Sequence, residues 1–486
     1  MSPLPMITEV KQKSPHPVKV LQFGQGNFLR AFVCSFIETL NEETGFDGSI
    51  VIVKPTARGN LDVFKEQNSL YTVLTRGISQ GETIDQTRII TSVADTLSPY
   101  TEYENYMAYA KSDTLRFVIS NTTEAGIIYS ETDRLEMTPP DSFPGKLTQF
   151  LYARFRHFGG DRSKGLIMLP VELIDDNGST LKAVVCKLAA AWNLPAEFTA
   201  WLDEACCFAN TLVDRIVSGF PQNDAQAIYQ QLGYTDKLLT AAEPFGLWVI
   251  EASQDVREEL CLQEVDLPII FTDNYKPYKN RKVRILNGAH TSSALLAFAC
   301  GKQYVREMLE DDLLKQFIQQ VLFEEIIPAM DMAPEISVPF ANDILERFAN
   351  PFINHALLSI SLNSVSKWKA RCLPSLLDYR EKFGKLPSGL TFSLAALLQF
   401  YRGGEDYTVK DEADVLQFFA DHKSCANEIL VQDYLKQTNF HGLPTALQDE
   451  VAPVLIATLN TMDAIGPYET LKEFIHENLH SDSSYR

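Results

Sequence analysis

The fold class follows from one short segment, V-K-V-L-Q-F-G-Q-G-N-F-L-R-A at residues 18–31. Its first six residues favour a β-strand, and the glycine turn that follows leads into a helical pattern. A strand, a G-x-G turn and a helix in that order are typical of a dinucleotide-binding unit. Gly24 would permit the tight turn, and Gly26 would let backbone N–H groups approach a pyrophosphate. Leu29 stands where a third glycine is usual, so an ordinary strand-to-helix turn is the alternative interpretation.

Beyond this segment, the first half of the chain alternates strand patterns with amphipathic helical patterns. Apolar runs at residues 49–53, 115–120 and 165–169 predict three further strands. Helical periodicity covers residues 29–40 and 103–110. Strands that alternate with helices predict a Rossmann-like α/β domain, in which helices cover both faces of a doubly wound parallel sheet.

Strand patterns nearly vanish after about residue 279. Helical periodicity covers residues 281–299, 311–327, 355–362 and 390–402, and prolines or glycines separate these stretches. We therefore predict a dinucleotide-binding domain at residues 1–270. A mainly α-helical C-terminal domain, which would hold the substrate and the catalytic groups, is predicted at residues 271–486.

The composition narrows the class of protein. A chain of 486 residues is too long to fold around a single hydrophobic core, so it should form more than one domain. Its net charge of −20 disfavours nucleic acid as a partner. No run approaches the roughly 18 apolar residues of a membrane span, and the first residues lack the apolar core of a signal peptide. The eight cysteines show no metal-ligand spacing, which indicates free thiols in a reducing compartment. We expect a cytoplasmic protein without membrane contact, and the sequence specifies no oligomeric state.

The loop after the second predicted strand bears on the choice of cofactor. It begins Lys54-Pro55-Thr56-Ala57-Arg58, where an acidic residue would be usual. An acid at this place holds the ribose 2′-hydroxyl of NAD, whereas basic residues accommodate the 2′-phosphate of NADP. The residues alone thus favour NADP, and the alternative is that Lys54 and Arg58 are solvated loop charges.

The segment K-V-R-I-L-N-G-A-H at residues 282–290 carries the acid–base candidates. At about 100° per residue, a helix would place Lys282, Asn287 and His290 on one side. A lysine whose pKa is lowered by burial or nearby cations can exchange a proton with a secondary alcohol, and an asparagine amide can donate to a carbonyl oxygen. Taken singly, each of these three residues could instead have only a structural role. A catalytic role and an anionic substrate are favoured by the cations nearby, which are Lys276, Lys279, Arg281 and Arg284.

Four motifs together resemble the mannitol dehydrogenase family of metal-independent long-chain polyol dehydrogenases. K-x-x-x-x-N-x-x-H at residues 282–290 is similar to the catalytic signature of that family. F-G-Q-G-N-F-L-R-A-F at 23–32 is similar to its nucleotide-binding start, and L-V-D-R-I at 212–216 to its V-D-R-I signature. S-N-T-T-E-A-G at 120–126 resembles its S-x-T-x-T-E-G-G segment with one residue fewer. The order and spacing of the motifs agree over nearly the whole chain.

Segments at residues 172–178, 276–290 and 347–351 are similar to one branch of that family. The resemblance implies interconversion of D-tagaturonate and D-altronate with NAD(H), in the breakdown of hexuronates. It also favours NAD over NADP, although the second strand lacks its acid.

The resemblance further implies roles for individual residues. Lys282 would be the general acid in reduction and the general base in oxidation, Asn287 would polarise the ketone, and His290 would position the reacting groups. The residues expected to bind the cofactor are Val20, Leu21, Gln22, Phe23, Gly24, Gln25, Gly26, Asn27, Phe28, Leu29, Arg30, Ala31, Lys54, Thr123 and Glu124. The candidates for substrate contact are Asn177, which would assist Asn287, and Arg284, Arg347, Asn350 and His355. No metal is expected.

Three alternative functions remain at this point. The first is another activity of the same family, on fructuronate (the mannonate pair) or at carbon 2 of a polyol. The second is a regulatory protein that binds a nucleotide without catalysis, which the coherent set of Lys282, Asn287 and His290 disfavours. The third is a metal-dependent alcohol dehydrogenase, which the absence of cysteine and histidine ligand spacing disfavours.

Overall fold

The structure is a computed structural model that describes residues 3–123, 125–404 and 407–481. The chain forms two compact units. The first unit contains the residues up to Arg76 and Thr83–Lys276, and the second contains Gly77–Glu82 and the chain from Pro277 onward. None of the helices in the described part of the chain is long and apolar enough to cross a membrane.

The first unit is built on a six-stranded parallel sheet in the order β5-β2-β1-β6-β7-β8. The strands of the chain are β1 Val18–Phe23, β2 Ser49–Val53, β3 Tyr71–Ser79, β4 Glu82–Ile90, β5 Val93–Leu97, β6 Phe117–Ser120, β7 Ile167–Pro170, β8 Cys207–Phe208, β9 Asn210–Asp214, β10 Val217–Gly219, β11 Thr240–Ala242, β12 Leu247–Glu251 and β13 Ile269–Thr272. After β5 the chain crosses to the other side of β1, so the direction of winding reverses between β1 and β6. The predicted Rossmann-like fold class is confirmed.

Helices cover both faces of this sheet, and successive residues of each strand enter opposite cores. Ile50 and Ile52 of β2 pack in one core with Leu40, whereas Val51 and Val53 pack in the other with Phe150. Burial on both faces explains why the strands are rich in apolar residues, most clearly in the I-V-I-V run of β2. The α-helices of the first unit are Ile7–Val10, Asn27–Ala31, Val33–Glu43, Asp62–Glu66, Tyr103–Ala108, Phe143–His157, Asn177–Ala191, Ala196–Ala205, Ala225–Leu232 and Gln254–Glu259, with 3₁₀ turns at Tyr109–Lys111 and Arg162–Lys164.

Two smaller sheets, which the sequence did not predict, join the first unit. One has the order β10-β11-β3-β4 and the other β13-β12-β9. The strand β4, E-T-I-D-Q-T-R-I-I, is mostly exposed and polar, so it lacks the apolar run by which the other strands were recognised.

The second unit is mainly helical, as predicted, and its described residues from Pro277 onward contain no strand. Its α-helices are Gly288–Ala299, Val305–Glu310, Asp312–Gln320, Ile327–Ala329, Pro334–Phe348, Leu357–Ile360, Ser364–Arg371, Leu373–Phe383, Ser388–Tyr401, Ala413–Asp421, Asn427–Lys436, Thr438–His441, Thr445–Ile465 and Pro467–Ser481, and the helix Lys276–Arg281 begins at the boundary. The helix predicted at residues 355–362 is reduced to its central turn, Leu357–Ile360.

Two segments of this unit are π-helices, Lys282–Asn287 and Val321–Ile326, and they lie beside each other. In the second, the carboxylate of Glu325 accepts hydrogen bonds from the N–H groups of Gly389 (2.6 Å) and Leu390 (2.8 Å). These N–H groups belong to the first turn of the helix Ser388–Tyr401, which has no side-chain cap of its own. Burial raises the pKa of Glu325 to about 7 in spite of these bonds.

Candidate active site

The glycine turn at the end of β1 has the backbone that the sequence predicts. Gly24 has a φ of +127°, and its N–H donates to the carbonyl of Val53 at 3.0 Å. A Cβ at Gly24 would lie 2.9 Å from the carbonyl oxygen of Asn121 and 3.1 Å from Cδ1 of Leu29. Both the backbone conformation and the close packing therefore require glycine at this position.

Gly26, in contrast, is exposed, and a Cβ there would meet no atom of the described residues within 4 Å. It is the N-cap of the helix Asn27–Ala31, so the free N–H groups of the first turn lie beside this open space. Leu29, in place of a third glycine, is buried in the core beneath the turn. The single helix predicted at residues 29–40 is instead two helices, Asn27–Ala31 and Val33–Glu43, which are separated at Phe32 (φ −118°, ψ −83°).

The loop after β6 lies next to the glycine turn, since the N–H of Asn121 donates to the carbonyl of Phe23 at 3.0 Å. Buried Glu172 holds this loop in place. Its carboxylate accepts hydrogen bonds from the hydroxyl of Ser120 (3.0 Å) and from the N–H and hydroxyl of Thr122 (2.9 Å each). Thr123 is exposed at a φ of +116°, a strained conformation for a β-branched residue and one that often marks a functional loop. Glu124, predicted beside it, lies outside the described residues.

Two cations predicted at the nucleotide site have internal partners instead. The ammonium of Lys54 donates to three carbonyls of its own loop, those of Ala57 (3.0 Å), Arg58 (3.1 Å) and Gly59 (2.7 Å). The guanidinium of Arg30 donates to the carbonyl of Leu238 and to the side chain of Asn27, and it is buried. These contacts favour a structural role for both side chains. Arg58, the other basic residue of the loop after β2, is exposed.

Asn177, predicted to contact the substrate, is buried and its amide is fully engaged. Its Nδ2 donates to the carbonyls of Pro170, Glu172 and Thr211 at 3.1 Å, and its Oδ1 accepts from the N–H of Thr211 at 2.8 Å. This side chain ties the loop after β7 to β9, which favours a structural role over the predicted assistance to Asn287.

Lys282 and Asn287 are the first and last residues of the π-helix Lys282–Asn287, and the sequence predicted a regular α-helix there. The N–H of Gly288 donates to the carbonyl of Val283, five residues earlier. Because a π turn brings residues five apart above one another, it aligns Lys282 with Asn287 more closely than an α-helix would. Both side chains are partly exposed. π turns inside α-helices occur frequently at functional sites.

The cation cluster expected around Lys282 is partly neutralised by residues remote in sequence. Arg284 is buried and forms an ion pair with Asp378 at 2.5 Å, and it also donates to the hydroxyl of Ser375 at 2.9 Å. Arg281 stacks on the ring of Phe340, 4.2 Å from its centroid. These contacts favour structural roles, and the predicted substrate contact of Arg284 would require its ion pair to break.

His290 lies in a buried pocket of aromatic and positively charged side chains. Its ring stacks on Phe348 with centroids 4.2 Å apart and meets the ring of His355 edge-on at 5.3 Å. Its Nε2 is buried and has no hydrogen-bond partner among the residues that the structure describes. Burial, His355 and Arg347 hold the pKa of His290 well below its usual value, so the ring is neutral.

Two further cations, which sequence reasoning missed, also act on His290. Lys367 and Arg371 lie on the helix Ser364–Arg371, and their charges lower the pKa of His290 further. Arg371 donates to the hydroxyl of Thr291, the next residue after His290, at 3.3 Å. Their spacing of four residues on a polar helix was the available signal, but only the fold brings that helix to His290.

The remaining predicted substrate residues lie near this pocket. Arg347 and Asn350 are buried at the end of the helix Pro334–Phe348 and just after it, and the side chain of Asn350 accepts from the N–H of Phe352 at 2.9 Å. Residues 3–123, 125–404 and 407–481 contain no cluster of three or more His, Cys, Asp or Glu side chains that could hold a metal ion.

The sequence matches two family domains in order. Residues 18–264 match the mannitol dehydrogenase Rossmann domain, and residues 274–459 match the mannitol dehydrogenase C-terminal domain.

Similar proteins include several altronate oxidoreductases. That of Pectobacterium carotovorum is 47% identical over 405 residues, which cover 83% of this chain and 82% of the relative. That of Bacillus subtilis is 41% identical and covers 94% and 95% of the two chains, and that of Bacteroides thetaiotaomicron is 39% identical and covers 96% and 98%.

Solved structures with the same fold include two polyol dehydrogenases. A D-sorbitol dehydrogenase in substrate-free form superposes with a TM-score of 0.79 at 21% identity, covering 95% of this chain and 97% of the other. The mannitol 2-dehydrogenase of Pseudomonas fluorescens, in a ternary complex with NAD and D-mannitol, gives a TM-score of 0.66 at 21% identity and covers 98% and 96%.

Proposed function

The chain is a dehydrogenase of the mannitol dehydrogenase family, and from this premise we propose that it interconverts D-tagaturonate and D-altronate with NAD(H). The relatives named altronate oxidoreductase support this choice within the family. The two units of the structure would be the dinucleotide-binding domain and the substrate and catalytic domain.

The observation that carries the proposal is the positive pocket around His290. The charges of Arg347, Lys367 and Arg371 all act on this ring, although the chain as a whole has a net charge of −20. Cations concentrated in one pocket of an acidic protein suit an anionic ligand. The carboxylate of a hexuronate would match these cations in charge, whereas a neutral polyol would not. Nε2 of His290, which has no hydrogen-bond partner within the described part of the chain, would offer a further contact to a substrate hydroxyl.

The dinucleotide would lie across the carboxyl ends of β1 and β6, where the winding of the sheet reverses. The tight turn at Gly24 and the open space beside Gly26 fit the close approach of a pyrophosphate to backbone N–H groups. We propose NAD over NADP because the ammonium of Lys54 is already engaged by loop carbonyls and is not available to a 2′-phosphate.

Bound NADH would supply a hydride to the ketone carbon, and the remaining chemistry falls to the side chains of the π-helix. Lys282 would donate a proton from its ammonium to the ketone oxygen during reduction and recover it during oxidation. The amide of Asn287 would donate a hydrogen bond to the same oxygen, where negative charge develops. A neutral His290 can accept a hydrogen bond from a substrate hydroxyl and so orient the ketone.

A comparison of substrates tests the proposal. The rate of NADH oxidation is measured with tagaturonate, fructuronate and fructose, and we expect the highest kcat/KM with tagaturonate. A higher kcat/KM with fructuronate would show that the enzyme is a fructuronate reductase. A higher kcat/KM with fructose would refute an anionic substrate. Absence of turnover with all three, together with intact NADH binding, would favour a regulatory nucleotide-binding protein.

A further inference from the structure

The helix Ser364–Arg371, which carries Lys367 and Arg371, begins without a cap from its own sequence. Its N-cap residue Asn363 has a φ of +53°, and its side chain makes no capping hydrogen bond. The first N–H groups of a helix have no partner within the helix and need one from outside. The way in which this helix is held therefore affects the position of both cations.

Tyr401 and Asp411 supply the missing partners from two other segments. The N–H of Ser364 donates to the hydroxyl of Tyr401 at 2.9 Å, and the N–H of Val365 donates to Oδ2 of Asp411 at 3.3 Å. The hydroxyl of Tyr401 in turn donates to Oδ2 of Asp411. Tyr401 is 3% exposed and is the last residue of the helix Ser388–Tyr401, so the pair rests on a buried element.

The same contacts place a negative charge near Lys367. Burial and the charge of Arg371 lower the pKa of Lys367, and Asp411 opposes both effects. The ammonium of Lys367 also donates to the carbonyl of Ile360 at 3.0 Å, and its charge acts on His290, which burial keeps neutral. Loss of the Asp411 charge would therefore favour the uncharged form of Lys367.

We propose that Tyr401 and Asp411 are positioning residues that set the preference of the enzyme for a carboxylate-bearing substrate. Tyr401 fixes the start of the helix Ser364–Arg371, and Asp411 also fixes it and raises the pKa of Lys367. Neither residue touches the reacting atoms. This inference rests on the proposed hexuronate activity, because the carboxylate of the substrate is what the two cations would recognise.

The test compares tagaturonate with neutral fructose for Asp411→Asn, Asp411→Glu and Tyr401→Phe. For Asp411→Asn we expect the KM for tagaturonate to rise about tenfold, as for one lost charge-assisted contact, while the KM for fructose changes less than about twofold. The rise in KM at alkaline pH should begin at a lower pH than in the unsubstituted enzyme, and Asp411→Glu should restore most of the affinity. Asp414→Asn, a nearby exposed acid with the same change of charge, is the control and should have no effect.

For Tyr401→Phe we expect a higher KM for tagaturonate at every pH, without the shift of the pH profile. Amide hydrogen exchange should also become faster in residues 364–368, where the capping bond is lost. Unchanged exchange would overturn the capping role, and equal changes of KM for both substrates would overturn the role in specificity. If the unsubstituted enzyme prefers fructose, the proposed function fails, and the exchange result still reports on the capping.

Discussion

Substitution of Gly26 by alanine separates the requirements of the fold from those of the cofactor. The backbone of Gly26, with a φ of −65° and a ψ of 161°, is one that alanine adopts without strain, and the added Cβ would meet no protein atom within 4 Å. Alanine caps a helix less well than glycine, by about 1 kcal/mol, but it also restricts the unfolded chain by about 0.4–1 kcal/mol. The free energy of unfolding should therefore change by less than about 1 kcal/mol.

The affinity of the Gly26→Ala variant for NADH should change much more than its stability. If the pyrophosphate occupies the space beside Gly26, a methyl group there displaces it from the backbone N–H groups of the first helical turn. The loss of one hydrogen bond to a charged group costs about 1.5–3 kcal/mol, which corresponds to a rise in Kd of roughly 10–150-fold. The Kd for NADH is measured by fluorescence titration, and stability is measured by urea denaturation on the same preparation.

Gly24→Ala is the matched control, because the structure predicts a large loss of stability for this variant and only a small one for Gly26→Ala. The Cβ would lie 2.9 Å from the carbonyl oxygen of Asn121, at a φ of +127°. Backbone strain of about 1–3 kcal/mol and overpacking of about 1–3 kcal/mol together predict a loss of stability of about 2–6 kcal/mol. A Gly26→Ala variant that is folded and binds NADH with an unchanged Kd would refute the placement of the pyrophosphate at this turn.

Three further predictions concern the second unit. Lys282→Met should lower kcat by about 10²–10⁴-fold with little change in the Kd for NADH, and a loss of only a few fold would contradict an acid–base role. Dialysis against EDTA should leave turnover intact; loss of activity that zinc restores would contradict a metal-independent reaction. Glu325→Gln removes a carboxyl whose pKa is about 7 in the fold against an ordinary 4.5, so ionisation destabilises the native state as the pH rises through this range. Between about pH 5 and pH 8 the stability of the unsubstituted protein should fall relative to the variant by up to about 3 kcal/mol, and a difference independent of pH would show that Glu325 does not ionise there.

The central sheet was predictable because its strands are buried on both faces. Strands β1 and β2 have the predicted bounds, since β-favouring residues specify both locally, with a glycine ending the pattern of β1 and a buried apolar run forming β2. The sheet containing β3 and β4 was not predicted, because β4 is stabilised by pairing with its neighbour and not by burial of its own side chains.

The candidate site shows a similar limit. The motif of Lys282, Asn287 and His290 spans only nine residues, so the sequence alone predicts that these residues are neighbours. The counter-charge Asp378 on Arg284, and the helix that carries Lys367, lie about 80–100 residues further along the chain, and periodicity contains no information about such contacts. The π turn was not predicted either, because the spacing of hydrophobic residues does not distinguish a helix with one inserted residue from a regular helix.

That π turn makes the site sensitive to insertion and deletion as well as to substitution. A π turn contains one residue more than the α turn that it replaces. Deletion of a single residue between Lys282 and Asn287 would restore a regular helix while leaving the chain on either side nearly undisturbed. Lys282 and Asn287 would then be joined by a narrower α turn, four residues apart and not five, so the path of the backbone between the two side chains would change. When this chain is aligned with others, a one-residue gap in this segment would therefore indicate a changed geometry of the site, even where the lysine, asparagine and histidine are all retained.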